Sequence, residues 1–328
     1  MKSSASSVNL GSASTGTTGI VAHLKSRLSE VLQGKEDLIE KAIACFFARG
    51  HLLLEGPPGT GKTSLAKGMA GAFGGKFSRV QMTSDLLPSD VVGILRMSPT
   101  GKDFEFREGP IFAHFVLADE LNRTTPKTQS ALLEAMEEGT VTVDGKSYPL
   151  PNPFFVVATQ NPLEFHGVYP LAESQLDRFM MLLEFSSPSE EAELRIYQRP
   201  DRAFEKTAGS SVDPAPSMSL DEAKLIRNGI ETVHVEDTVL RYLMAIVRET
   251  RNIVGIGHGV SVRGGLQYLH AAKALAFVRG REFVLPKDVR DLAVSCLAHR
   301  LFFNGMEIEN LAKSQMIQEI LSRIPEPK

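Results

Sequence analysis

One eight-residue run constrains the fold of this chain more than any other feature. It consists of Gly56, Pro57, Pro58, Gly59, Thr60, Gly61, Lys62 and Thr63. A short apolar segment at residues 51–55 precedes the run, and apolar residues at helical spacing follow it as far as residue 70. Glycines let a backbone turn with positive φ and direct its N–H groups inward, and the N-terminus of the next helix adds free donors. The pattern predicts a strand, an anion-binding glycine loop and a helix.

The last residues of the run indicate which anion is bound. A lysine at this position contacts the β- and γ-phosphates of a nucleotide, and the hydroxyl of the following residue ligates Mg²⁺. We therefore predict that the eight residues and Ser64 bind ATP. Within this set, Lys62 is the expected catalytic cation and Thr63 an expected ligand of the metal.

Two acidic residues follow another apolar segment. Residues 115–118 are apolar, and Asp119 and Glu120 come directly after them. The carboxyl ends of parallel strands meet at one edge of a sheet, so both acids are expected beside the glycine loop. Asp119 is the predicted Mg²⁺ ligand, and Glu120 is the predicted group that polarises the attacking water.

Apolar segments and helical patterns alternate over the first half of the chain. Strands are expected at residues 51–55, 77–82, 115–118, 154–158 and 180–185. This alternation predicts an α/β fold with a parallel sheet covered on both faces.

Two β-hairpins interrupt the alternation. Residues 140–148 contain Asp144 and Gly145, a dipeptide that favours a two-residue hairpin turn. A second hairpin is predicted around Thr100 and Gly101. Both are expected to be insertions into the α/β core rather than strands of its sheet.

Composition divides the chain into four parts. Residues 1–18 are mostly Ser, Gly, Thr and Ala and are predicted to form a disordered tail. Residues 19–185 are expected to form the α/β core. Residues 186–219 are interpreted as a connecting segment with a linker, and residues 220–328 as a small all-helical domain.

Charge and cysteine content exclude several classes of protein. The formal net charge of −3 gives no overall indication of binding to nucleic acid or to an anionic membrane. No stretch approaches the ~20 apolar residues of a membrane span, and no apolar core of a signal peptide is present. Cys45 and Cys296 are too few for a zinc site and are predicted to be buried thiols in a reducing compartment. These features predict a cytoplasmic protein.

Three more polar residues occupy positions where a nucleotide site is commonly completed. Asn161 follows the apolar segment at 154–158 and is expected to hydrogen-bond the γ-phosphate or the attacking water. Arg178 precedes the last strand and is predicted to enter a neighbouring subunit's site as an arginine finger. Arg263 begins a helix of the second domain and is expected to contact the γ-phosphate of its own subunit. The alternatives are a turn residue for Asn161, a surface arginine paired with an acid for Arg178 and a solvated arginine for Arg263.

Longer segments resemble the MoxR family of AAA+ ATPases over about residues 20–328. They lie at residues 119–123, 126–138, 158–162, 169–179 and 286–289. The resemblance implies an AAA+ core with a helical lid, with Asn161 as sensor 1, Arg178 as arginine finger and Arg263 as sensor 2. It also implies that Gly34 contacts the nucleotide. The two hairpins correspond to the insertions of the helix-2-insert clade, which includes magnesium chelatase and the MCM helicases.

The resemblance further implies a Mg²⁺-dependent ATPase that works as a hexamer and remodels partner proteins, often ones with von Willebrand factor A domains. Two other hypotheses are a nucleic-acid-directed motor and a nucleotide-gated binding module with little turnover. Neither hairpin carries a stripe of basic residues that would neutralise several phosphates, so no nucleic-acid site is assigned. Glu120 and Arg178 argue against the binding module. The roles of Arg123 and of the loop at 163–167 stay open.

Overall fold

The apolar and alternating segments form short strands that helices connect. The computed structural model describes residues 14–98, 103–161, 167–186, 193–194, 197, 216–305 and 308–327. Its strands are β1 (Leu52–Glu55), β2 (Phe77–Gln81), β3 (Gly93–Met97), β4 (Phe104–Glu108), β5 (Phe115–Asp119), β6 (Thr140–Val143), β7 (Lys146–Pro149), β8 (Phe155–Gln160), β9 (Met181–Glu184), β10 (Ile256–His258) and β11 (Phe302–Phe303). Its helices are α1 (Ser14–Val31), α2 (Glu36–Phe47), α3 (Lys62–Ala72), α4 (Pro88–Val92), α5 (Pro126–Glu138), α6 (Glu173–Leu176), α7 (Leu220–Gly229), α8 (Asp237–Glu249), α9 (Val262–Val278), α10 (Pro286–Leu297) and α11 (Asn310–Arg323).

A parallel sheet forms the centre of the first domain. Among the described residues its strand order is β2-β5-β8-β1-β9, and every neighbouring pair is parallel. Strands that run in the same direction end at the same edge of the sheet. The glycine loop after β1, the acids at the end of β5 and the polar residues at the end of β8 therefore meet at one edge.

The two faces of the sheet are covered by different helices. Successive strand residues point to opposite faces, so Leu52 and Leu54 pack in one apolar cluster and Leu53 packs in another. The first cluster includes residues of α1, α2 and α3, and the second includes residues of α5. Because both faces are buried, the central strands are apolar up to their carboxyl ends, as predicted.

The second domain packs against α2 of the core. Arg227 of α7 donates a hydrogen bond from Nε to the carbonyl oxygen of Phe46 at 2.8 Å, and its guanidinium lies 4.4 Å from the centroid of the Phe46 ring. Arg279, which follows α9, pairs with Glu40 at 2.8 Å. Residues of α8, α9, α10 and α11 belong to the same apolar cluster as α2, so the core and the lid share one hydrophobic interior.

The two predicted hairpins are present, and they contact each other. In the β6–β7 hairpin, Asp144 and Gly145 have φ angles of 47° and 75°, as a two-residue turn of this kind requires. The rings of Phe106, on β4, and Tyr148, on β7, stack with centroids 4.0 Å apart. The turn expected around residues 100–101 lies outside the described residues, although β3 and β4 on either side of it pair in antiparallel fashion.

Some boundaries differ from the sequence expectation. Helix α1 begins at Ser14, inside the segment predicted to be a tail, because helical hydrogen bonding propagates from the packed turns that follow it. Residues 1–13 and most of the connecting segment lie outside the described residues. The domain predicted to be all-helical also contains the short β10–β11 ladder, in a region where Gly255, Gly257 and Gly259 disfavour a helix.

Cys45 and Cys296 are buried free thiols, as predicted, and burial raises the pKa of each above its ordinary value. None of the described helices is both long and apolar enough to cross a membrane.

Candidate functional site

The loop between β1 and α3 can be built only with glycine at two of its positions. Gly61 has a φ of 98°, and a Cβ on it would lie 2.8 Å from Cδ2 of Leu32. A Cβ on Gly56 would lie 2.2 Å from the carbonyl oxygen of Phe185, just after β9. Side chains at these positions would collide with the residue that follows α1 or the residue that follows β9, so the loop geometry explains these two glycines of the sequence.

Lys62 is the first residue of α3 and is held at the loop. Its Nζ donates hydrogen bonds to the carbonyl oxygens of Gly56 at 2.5 Å and Pro57 at 2.8 Å. Burial lowers the pKa of Lys62, while the nearby charges of Asp119 and Glu120 act in the opposite direction. The ammonium group therefore lies at the helix N-terminus, close to two carboxylates.

A cavity of about 380 Å³ lies between the glycine loop and the carboxyl edge of the sheet. Its volume is within the range of small-molecule sites. The cavity brings together residues that are far apart in the sequence, and it is lined by Pro58, Gly59, Gly61, Lys62, Thr63, Ser64, Arg79, Gln81, Asp119, Glu120, Thr159, Gln160 and Asn161. Gly34 lies beyond the lining, in the turn after α1, where it has a φ of 73°. Arg178 and Arg263 also lie outside this lining.

One hydroxyl connects the two acids of the cavity. Thr159 Oγ1 donates a hydrogen bond to Oδ1 of Asp119 at 2.6 Å and accepts one from the backbone N–H of Glu120 at 2.9 Å. Glu120 adopts a left-handed conformation, with φ 59° and ψ 50°. A non-glycine residue in this region is held by its surroundings and is commonly found at functional sites.

Four polar residues of this cavity were not among the predicted site residues. Arg79 Nη2 lies 2.5 Å from Oδ2 of Asp119, and Gln81 Nε2 donates to Oε2 of Glu120 at 2.7 Å. Arg79 and Gln81 are exposed residues of β2. They reach the two acids because β2 pairs with β5, and sequence periodicity does not predict which strands are neighbours. Thr159 and Gln160, the other two, come directly before Asn161 at the polar end of β8, and that position is a signal that could have identified them.

The donor set at this edge fits a magnesium ion bound together with a nucleotide. Among the described residues there is no group of three or more His, Cys, Asp and Glu side chains that could hold a metal by itself. The cavity instead offers the carboxylate of Asp119 and the hydroxyl of Thr63. Mg²⁺ prefers such oxygen ligands and usually completes its coordination with substrate phosphates and water.

Arg178 and Arg263 lie together in a second cavity. This cavity has a volume of about 310 Å³ and is lined by residues of both the core and the lid. Glu137, on α5, accepts a hydrogen bond from Nη1 of Arg263 at 2.6 Å, and its other oxygen lies 3.3 Å from Nε of Arg178. The structure therefore places Arg263 beside Arg178 and not in the lining of the phosphate cavity of the same chain. This pairing of Arg178 with an acid is the alternative interpretation of its position in the sequence.

A buried arginine of the lid explains this placement. Arg300 is only 1% exposed and donates to Oδ1 of Asp177 and to the carbonyl oxygen of Phe179, both at 2.8 Å. It also donates to the side chain of Gln267, one turn after Arg263 on α9. The turn that carries Arg178 and the helix that carries Arg263 are thus fastened to the same guanidinium group.

The lid also contacts the phosphate side of the sheet through a buried acid. Glu55, the last residue of β1, accepts hydrogen bonds from Nε2 of Gln160 at 3.2 Å and from the side chain of Asn310 on α11. Burial raises the pKa of Glu55, and the two amide donors act in the opposite direction. Glu55 therefore links a lid helix to the strand that precedes Asn161.

Known proteins are similar to this chain over nearly all of its length. Residues 51–181 match the family described as ATPase family associated with various cellular activities (AAA), and residues 248–321 match an AAA lid domain. YeaC of Bacillus subtilis is 40% identical over 301 residues, which are 92% of this chain and 92% of that protein. Chaperone MoxR1 of Mycobacterium tuberculosis is 34% identical over 313 residues, which are 92% of this chain and 81% of that protein.

The crystal structure of a candidate ATPase from Cytophaga hutchinsonii has the same fold. It aligns with a TM-score of 0.85 and 34% identity, over 97% of this chain and 99% of that chain. The predicted AAA+ core with its parallel sheet and helical lid is confirmed by this match and by the two family matches. Because the chain is also similar to chaperone MoxR1 over most of the length of both proteins, it belongs to the MoxR family of AAA+ ATPases.

Proposed function

We propose that this protein is a Mg²⁺-dependent ATPase. The observation that carries the proposal is the phosphate cavity, in which Lys62, Thr63, Asp119, Glu120 and Asn161 share one lining. A cation, a hydroxyl, two acids and an amide around a glycine loop are the groups that phosphoryl transfer from ATP to water requires.

Each group has a distinct role in the proposed reaction. The N–H groups of the loop and the Lys62 ammonium bind the phosphates. Thr63 and Asp119 would hold Mg²⁺, which neutralises phosphate charge when it is bound. Glu120 polarises the attacking water, and Asn161 orients the water or the γ-phosphate. Thr159 and Gln81 support this arrangement through their hydrogen bonds to Asp119 and Glu120.

The hydrolysis site is proposed to be completed between subunits of a hexamer. Arg178 and Arg263 line a different cavity from Lys62, and both are partly exposed. An arginine that lies away from its own nucleotide is available to a neighbour, where it stabilises the charge of the transition state. The proposal therefore assigns both arginines to the ATP site of the adjacent subunit.

The biological role is proposed from the relatives. Chaperone MoxR1 is among the proteins to which this chain is similar. We infer a cytoplasmic, chaperone-like machine that remodels partner proteins, often ones with von Willebrand factor A domains. The partner is testable by affinity capture with the Glu120→Gln variant in ATP, because slowed hydrolysis should retain it. Capture of the same proteins by Lys62→Ala would contradict a nucleotide-dependent interaction.

The proposed chemistry is tested by steady-state hydrolysis of ATP. We expect Glu120→Gln to lower kcat by about 10²–10⁴-fold, because water activation is lost while the phosphate contacts remain. Affinity for ATP, measured by fluorescence titration, should stay close to that of the wild type. Lys62→Ala, as the comparison variant, should lose ATP binding itself. Equal kcat values in Glu120→Gln and the wild type would refute the role of Glu120.

A further inference from the structure

A single carboxylate joins the two arginines that lie outside the phosphate cavity. Glu137 is near the end of α5, and its side chain is 32% exposed. One carboxylate oxygen is 2.6 Å from Nη1 of Arg263, and the other is 3.3 Å from Nε of Arg178. Arg263 belongs to the lid and Arg178 to the core, so this acid connects the two domains through charge.

The arginine pair needs a negative group to stay together. Two guanidinium groups around one cavity repel each other, and the same cavity is also lined by the guanidinium of Arg49. A carboxylate offers two acceptor oxygens and a charge, so it can bind both cations at once. An amide has one acceptor oxygen and no charge, and it cannot replace the carboxylate in this role.

We propose that Glu137 is a positioning residue that holds Arg178 and Arg263 as one pair for the ATP site of the neighbouring subunit. The inference rests on the proposed function, in which these arginines act between subunits. Glu137 is absent from the lining of the phosphate cavity of its own subunit. Since its described ion pairs are with the two arginines, we expect its effect on hydrolysis to pass through them.

The first test compares three variants by steady-state hydrolysis and by ATP titration. Glu137→Gln should lower kcat by about tenfold to a hundredfold, because displaced catalytic groups cost rates of this order. Its affinity for ATP should equal that of the wild type. Glu137→Asp keeps the charge with a shorter reach and should recover part of the activity. Glu138→Gln removes the adjacent exposed acid and should leave kcat unchanged.

The second test distinguishes a role between subunits from a role in folding. Lys62→Ala subunits cannot hydrolyse ATP but keep the intact arginine pair. When they are mixed with Glu137→Gln subunits, they should supply that pair to the intact phosphate cavity of the neighbour and restore activity. A mixture of Lys62→Ala with Arg178→Ala serves as the positive control.

The outcomes separate this inference from the function on which it rests. If the control mixture regains activity and the Glu137→Gln mixture does not, Glu137 has no positioning role between subunits. Hydrolysis by Glu137→Gln equal to that of Glu138→Gln overturns the inference in the same way. If the control mixture also stays inactive, the assignment of Arg178 to a neighbouring site is wrong, and the inference fails with it.

Discussion

At the scale of single residues, the most consequential side chain of the phosphate cavity carries only a hydroxyl. Thr159 is 1% exposed and hydrogen-bonds both the carboxylate of Asp119 and the backbone of Glu120. Its hydroxyl therefore helps to fix the position of the expected metal ligand, Asp119, relative to that of the expected water-activating acid, Glu120. A buried polar group that loses such a partner costs about 1–3 kcal/mol.

We predict that Thr159→Val lowers kcat by about tenfold to a hundredfold, since both acids lose their common hydrogen-bond partner. Thr159→Ser keeps the hydroxyl and should retain most of the activity. Hydrolysis and ATP titration check these expectations, with Thr142→Val, at an exposed position of β6, as the control for a lost threonine hydroxyl. Loss of activity in Thr159→Ser equal to that in Thr159→Val would show that the hydroxyl is not the relevant group.

A buried histidine predicts how stability depends on pH. The backbone N–H of Val156 donates to Nδ1 of His51 at 3.0 Å, which leaves the proton on Nε2, 3.2 Å from the carbonyl oxygen of Met136. Burial lowers the pKa of His51 from 6.5 to about 4. The unfolded chain therefore binds this proton more readily than the folded one, and stability is lost as the pH falls through this interval.

Between pH 7 and pH 5, the titration of His51 should cost about 2 kcal/mol of unfolding free energy. Denaturant unfolding at both pH values should show this loss in the wild type. In His51→Gln, the difference in unfolding free energy between pH 7 and pH 5 should lack this contribution, whatever the stability of that variant at pH 7. His258→Gln changes an exposed histidine and should behave as the wild type. An unchanged pH dependence in His51→Gln would contradict burial of a neutral imidazole.

Single residues differ in how far the sequence reveals them. Lys62, Thr63 and Asp119 belong to short motifs whose local geometry is fixed by neighbouring residues, and they line one cavity as expected. Arg79 acquires its contact with Asp119 only because β2 lies beside β5, which is a property of the folded sheet. Arg263 was expected at the phosphates of its own subunit, and its position beside Arg178 depends on how the lid packs.

At the scale of elements, one buried arginine fixes the junction between the lid and the turn before β9. Arg300 follows α10 and donates to Asp177, to backbone carbonyl oxygens of that turn and to Gln267 of α9. Arg300 therefore fixes the position of the lid helix that carries Arg263 relative to the core turn that carries Arg178. This buried network has many partners, so removing its centre leaves several acceptors unsatisfied.

We predict that Arg300→Met lowers the free energy of unfolding by about 3–5 kcal/mol, because it leaves several buried carbonyl groups and the partly exposed carboxylate of Asp177 without their donor. Arg290→Met removes a surface arginine whose side chain is 49% exposed and pairs with Glu326. Such exposed pairs contribute about 0–1 kcal/mol. Chemical denaturation of both variants measures the difference, and equal losses would show that the buried network contributes nothing beyond a surface pair.

The elements themselves follow largely from sequence patterns. The apolar segments at 115–118 and 155–158 form strands that are buried on both faces, and the Asp144–Gly145 turn follows from the positive φ angles it needs. The order of the strands and the stacking of Phe106 on Tyr148 join residues that are distant in the chain. Local periodicity contains no information on such contacts, so they could not be predicted.

At the scale of the whole molecule, the phosphate cavity and the arginine cavity have separate linings, and the proposed reaction needs both. We predict that ATPase activity per subunit rises with protein concentration, because association supplies the arginines.

Arg178→Ala should lower kcat by about 10³-fold or more while it still binds ATP. Hydrolysis and sedimentation velocity over the same concentrations check both expectations. A collapse of ATP binding in Arg178→Ala would place this arginine in its own subunit's site.

The ion pairs of Glu137 with Arg178 and Arg263 also determine at which step these two side chains lose rotamer entropy. A fully mobile arginine side chain gives up about 1.5–2 kcal/mol of rotamer entropy when it is immobilised. Because Arg178 and Arg263 are already paired within one subunit, part of this loss accompanies folding and does not recur when subunits meet. Assembly of the proposed ring then requires less ordering at each interface, and subunits can exchange without rebuilding the pair.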